Sequence, residues 1–159
     1  MSELITDIGE LTLTAGDAVR RDAAVVIDDG RVVWIGAAAA APAADSRVSV
    51  QGRAVLPGWV DSHTHLVFAG DRSAEFVDRM AGVPYAAGGI RTTVAATRAA
   101  SDDVLHARAA KLAGEAAAQG TTTLEVKTGY GLDVDSESRL ARVAAAVADV
   151  VTFLSLIHI

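Results

Sequence analysis

LPGWVDSHTHLVFAGDR, residues 56–72, decides how the rest of the chain is read. An apolar run passes Pro57-Gly58 and then sets His63 and His65 on either side of Thr64, in a chain that has 4 histidines. Strand side chains alternate between faces, so the two imidazoles share one face with Cα atoms about 6.6 Å apart. Two imidazoles so placed can converge on one ion at about 2.0–2.1 Å. The same alternation puts Trp59 and Asp61 on their face, and Val60, Ser62, Thr64 and Leu66 on the other. A bare His-x-His is common by chance. Its strand context, the Pro-Gly entry and the preceding aspartate favour a ligand pair. His106 reads as a surface residue of a helix, and His158 lies in a tail that continues no pattern.

Working outward, the segments after Pro57 alternate between strand and helix. Residues 101–120 read as a helix with Ser101 at its N-cap, acidic residues in its first turn and Gly120 as its stop. Residues 121–131 read as a β-branched strand ending in a glycine-rich turn. Residues 135–149 read as a second helix capped by Asp135 or Ser136, and 150–154 as a short buried strand. That order is the signature of a parallel sheet with crossover helices. Before residue 56 the reading is mostly β. Residues 10–14 alternate, and 23–36 form a hairpin about Asp29-Gly30. Residues 37–46 read as a connector interrupted by Pro42, with short strands at 47–50 and 54–57.

Composition narrows the class. The formal charge of -6 argues against a nucleic-acid or anionic-membrane surface. The absence of cysteine excludes disulfides and thiolate metal sites. No apolar run reaches the roughly 20 residues that span a bilayer. A soluble, cytoplasmic protein is expected. With aromatics at 4% and alanine dominating the apolar residues, its core should be shallow for its length.

The motif at 57–72 resembles the first barrel strand of the amidohydrolase superfamily, P-G-x-x-D-x-H-x-H. HTHLVFAGDRSAEFVDRMAGVPY (63–85), GGIRTTVAATRAAS (88–101) and TTTLEVKTGYGLD (121–133) are similar to the imidazolonepropionases within it. The resemblance implies an α/β fold: part of a small β-sandwich at 1–55, then the first βα units of a metal-dependent (β/α)8 barrel at 56–154. Residues 155–159 would be a non-native tail. It implies hydrolysis of the ring C–N bond of 4-imidazolone-5-propanoate to N-formimidoyl-L-glutamate in histidine degradation, with one divalent ion, zinc or iron. It also allows a homodimeric parent.

Residue by residue, the resemblance makes His63 and His65 metal ligands and Arg72, Tyr130 and Tyr85 substrate-binding residues. Without it, Arg72 reads as half of a surface salt bridge and Tyr130 as a rim aromatic over Leu132. Glu125 and Lys127 share a strand face, and their plainest reading is an internal ion pair. The stretch YAAGGI after Tyr85 is shorter than the family pattern, and SLIHI replaces the family's Gly-Ala-His, so His158 takes no role. The remaining metal ligands and the general base have no counterpart, which implies an incomplete, inactive N-terminal fragment with no catalytic residue of its own. The alternatives are another cyclic-amide hydrolase or aminohydrolase of the superfamily, or a non-catalytic metal-binding fragment.

Overall fold

The computed structural model describes residues 1–14, 16–82 and 89–154. Tyr85, His158 and the tail at 155–159 lie outside the described residues. The chain divides into two compact units, Met1–Pro57 and Gly58–Ile159.

The first unit is one twisted sheet built around β1 (Ser2–Leu11). β1 pairs antiparallel with β2 (Arg20–Asp28), which pairs antiparallel with β3 (Arg31–Ala37). On its other side β1 pairs parallel with β4 (Ser46–Ser49) and then β5 (Ala54–Val55). β1 starts eight residues before the strand expected at 10–14, and an irregularity in its register explains the difference. Three steps from Ile5 to Ile8 on β1 oppose two from Val25 to Ala23 on β2, and Asp7 takes φ 56 in between. That bulge breaks the two-residue period by which a strand is recognised. The buried apolar residues are Ile8, Leu11, Ala23 and Val25, with Ile5, Ile27, Ile35 and Val55 packed against them. Beside them runs an apolar cleft of about 450 Å³, bordered also by Leu13 and Val32. The hairpin falls where Asp29-Gly30 puts it, both residues having positive φ (49 and 70).

The second unit holds a parallel sheet in the order β6 (Trp59–Thr64), β7 (Thr121–Lys127), β8 (Val150–Thr152). Helices α1 (Ser73–Met80), α2 (Gly89–Ala99) and α3 (Asp102–Ala118) lie between β6 and β7 in sequence, and α4 (Val134–Ala144) lies between β7 and β8. Leu105 and Ala109 of α3, Val126 of β7, and Leu140, Val143 and Ala144 of α4 form the core with Val67. Ser101 caps α3, its Oγ accepting from the Val104 N–H at 3.4 Å.

Three expectations change here. α4 is capped by Asp133, not by Asp135 or Ser136: Asp133 Oδ1 accepts from the Ser136 N–H at 2.7 Å. Positive φ at Leu132 turns the chain just ahead, so the helix starts earlier than its acidic cluster suggests. The helix also ends at Ala144. The next residues turn tightly, so that Asp149 exchanges bonds with Leu124, the Leu124 N–H donating to its Oδ2 at 2.8 Å and its own N–H donating to the Leu124 carbonyl at 3.1 Å. Finally, β6 is apolar in sequence yet exposed, with Trp59 at 59% and Val60 at 67%. It ends the sheet and pairs only with β7 among the described residues.

Candidate metal and substrate site

His63 and His65 come together at the C-terminal end of β6. Their ring centroids lie 5.4 Å apart with a 56° tilt between the planes. An imidazole bound through nitrogen at about 2.1 Å puts its centroid roughly 3.2 Å from the ion, so a tetrahedral pair has centroids about 5 Å apart. The observed spacing fits that geometry. The ladder slips between Asp61 and Thr64, three residues on β6 opposing two on β7. Simple alternation therefore does not carry from Trp59 through to His65. Asp61 instead folds along its own strand, Oδ1 accepting from the His63 N–H at 3.3 Å.

His65 is the better sheltered of the pair. Its Nδ1 is buried with no hydrogen-bond partner among the described residues. Burial, and then the charge of His63, hold its pKa below the usual imidazole value, while backbone hydrogen bonding at Thr128 and Lys127 acts the other way. A neutral imidazole with an unpartnered nitrogen is the form that binds a divalent ion. Two imidazoles fit a metal as part of its ligand set. No group of three His, Cys, Asp or Glu side chains able to hold a metal occurs among the described residues.

Tyr130 completes the cluster from the loop after β7. Its ring lies 5.8 Å from His65, edge-on at 64°, and 5.9 Å from Phe68. The guanidinium of Arg108 stands 4.0 Å over Phe68 and donates to the Gly70 carbonyl at 3.0 Å. Thr97 holds the same loop, its Oγ1 accepting from the Ala69 N–H at 3.0 Å. The loop that carries Arg72 is thus fastened to α2 and α3.

Arg72 itself pairs with Glu75, Nε to Oε2 and Nη2 to Oε1, each at 2.9 Å. This is the bidentate grip that a planar guanidinium gives a carboxylate, here closed on the chain's own acid. Glu125 and Lys127 are also paired, and Glu125 accepts from Thr152 Oγ1 at 2.5 Å. The Lys127 bond first, then Thr152, holds the Glu125 carboxyl below its usual pKa, with His63 contributing at longer range. The structure therefore brings together His63, His65 and Tyr130, and engages Arg72 with Glu75. Arg108, Arg98 and Glu137 escaped the sequence reading, because an isolated charge on a helix carries no pattern to mark it, and Phe68 lay within the quoted motif without being given a role.

This arrangement, a histidine pair ending a parallel strand with helices crossing back over the sheet, can supply two ligands to one divalent ion. Solved structures agree at the level of fold. Zinc-bound atrazine chlorohydrolase TrzN from Arthrobacter aurescens matches with a TM-score of 0.57 at 19% identity, over 91% of this chain and 33% of that one. Ochratoxinase from A. niger matches with a TM-score of 0.57 at 21% identity, over 94% and 30%. No protein-family model matches the chain. By sequence the chain is similar to curated imidazolonepropionases. It is 63% identical over 155 residues to the imidazolonepropionase of Saccharopolyspora erythraea, and 60% identical over 157 residues to that of Mycolicibacterium smegmatis. These matches cover 96% and 95% of the chain and 40% of each relative, so the chain spans about two fifths of the length of the curated relatives it matches.

Proposed function

We propose that this chain supplies the metal-binding strand and part of the substrate wall of an imidazolonepropionase. The reaction is hydrolysis of the ring C–N bond of 4-imidazolone-5-propanoate, giving N-formimidoyl-L-glutamate, in the cytoplasm. The observation that carries the reading is the cluster of His63, His65 and Tyr130, where an imidazole whose Nδ1 has no partner among the described residues stands edge-on to a ring from the loop after the next strand. His63 and His65 would hold the divalent ion, zinc or iron, which when bound lowers the pKa of water enough to give a nucleophile near neutral pH. Tyr130 orients the imidazolone beside that ion. Arg72 takes the propanoate, exchanging the Glu75 carboxylate for the substrate's; both are carboxylates, so the same guanidinium edge serves. The fold implied for the working enzyme is the (β/α)8 barrel, whose chemistry gathers at the C-terminal ends of its strands, with a β-sandwich segment at 1–55 and a homodimeric assembly.

The test is a chimera in which residues 1–154 replace the matching stretch of the Saccharopolyspora erythraea relative. It should hydrolyse imidazolonepropanoate and bind metal stoichiometrically. His63→Ala should remove both properties, and Arg72→Ala should mainly raise KM, because it removes ground-state binding of the carboxylate. A chimera that folds and binds metal but leaves imidazolonepropanoate intact would refute the substrate assignment.

A further inference from the structure

The loop between β7 and α4, residues 128–133, carries Tyr130 and is held at one peptide from two sides. Arg98 of α2 donates from Nε to the Gly131 carbonyl at 2.6 Å and from Nη2 to Asp133 Oδ2 at 2.5 Å. Glu137 of α4 accepts at one oxygen, Oε1, from the N–H groups of Gly131 at 2.8 Å and Leu132 at 2.9 Å. Residue 131 must be glycine, since a Cβ there would meet the Glu137 nitrogen at 2.6 Å and the Ser136 carbonyl carbon at 2.8 Å. Leu132 follows with φ 60, a conformation unfavourable for a residue bearing a Cβ and so imposed from outside.

Glu137 is fully buried, and its role is not to start the helix. Asp133 already caps α4. The Glu137 carboxylate is directed at the loop, and its other oxygen, Oε2, has no partner among the described residues. A buried carboxylate is costly to keep unless its hydrogen bonds fix something that needs fixing. One residue before the fixed peptide stands Tyr130, its ring against His65.

We infer that Arg98 and Glu137 are positioning residues: from opposite sides they clamp the Gly131 peptide and so set the Tyr130 ring beside His65. The inference rests on the assignment of Tyr130 to the substrate wall, and its test has two arms so that the two can fail separately. The first uses the full 159-residue chain and needs no substrate. The amide hydrogens of Gly131 and Leu132 should exchange slowly, and the Tyr130 and His65 rings should show a nuclear Overhauser contact. Arg98→Ala should speed Gly131 and Leu132 exchange at least tenfold and abolish the ring contact. Arg98 is 43% exposed, so this change does not threaten folding. Glu137→Gln keeps an acceptor oxygen and should preserve the contact. A ring contact that survives Arg98→Ala would overturn the inference.

The second arm is a double-mutant cycle in the chimera, a readout that a merely structural role does not move. Arg98→Ala and Glu137→Ala should each lower kcat/KM about tenfold, and in a Tyr130→Ala background each should cost less than about twofold more. Equal losses in both backgrounds would mean that these side chains act independently of Tyr130, and would overturn the clamp. A chimera without activity would refute the functional assignment alone and leave the clamp to the first arm.

Discussion

The turn between β2 and β3 and the loop between β7 and α4 both need unusual backbone angles, and they obtain them in opposite ways. At the hairpin, Asp29 and Gly30 adopt positive φ by their own chemistry, and nothing lies within 4 Å of where a Gly30 Cβ would stand. At the β7–α4 loop, the conformation is enforced by an arginine 33 residues away and a buried glutamate on the next helix. A hairpin can be local because its task is to reverse the chain. A loop that must hold one aromatic ring against one imidazole draws its geometry from the elements around it.

The contrast can be broken by substitution, with unfolding by urea as the measure. Trp59 fluorescence in a Trp34→Phe background reports on the second unit, and the converse variant reports on the first. Gly131→Ala should be the most damaging change, about 3 kcal/mol, because its methyl group runs into the backbone of α4. Glu137→Ala should cost about 2 kcal/mol by leaving the Gly131 and Leu132 N–H groups unpaired. Gly30→Ala should cost only about 1 kcal/mol, the strain of positive φ without a clash. If Gly30→Ala matched Gly131→Ala, the distinction between a local turn and a clamped loop would fail.

The smallest effect is one of pH. Hydrogen bonds from the Ser136 N–H and hydroxyl, with the charge of Arg98 behind them, hold the Asp133 carboxyl below its usual value of 3.8. A carboxyl depressed in the folded state stabilises it fully above its unfolded pKa, and that contribution disappears as the pH falls through the folded pKa. The advantage of the native chain over Asp133→Asn should thus be constant near neutrality and shrink below about pH 4. An advantage that grew on acidification would mean that Asp133 caps nothing.

Much of this was legible in the residues. His63 and His65, the Asp29-Gly30 hairpin, the Ser101 cap and the alternation that gives a parallel sheet all rest on spacing within a few positions. What was not legible rests on contacts across the chain. The bulge at Asp7 hid most of β1 by breaking its period, and Asp133 was passed over as a cap because the turn before it is set by Leu132. The slip between Asp61 and Thr64 defeated simple alternation along β6. Arg72 could be read as carboxylate binder or salt-bridge partner, and the structure closes it on Glu75, the same chemistry with a partner inside the chain. Glu137 is one of two acids in the first turn of α4, and only its burial sets it apart.

The central claim is that His63, His65 and Tyr130 form one metal-centred corner, and cobalt(II) titration of the purified chain followed by proton NMR tests it most directly. A paramagnetic ion broadens signals steeply with proximity, so weak binding by two imidazoles is sufficient. The account predicts that the His63 and His65 ring signals broaden first and together, that Tyr130 follows, and that His106, exposed on α3, stays sharp at the same cobalt concentration. Broadening of His106 in step with the pair, or a Tyr130 ring untouched while both histidines vanish, would contradict it.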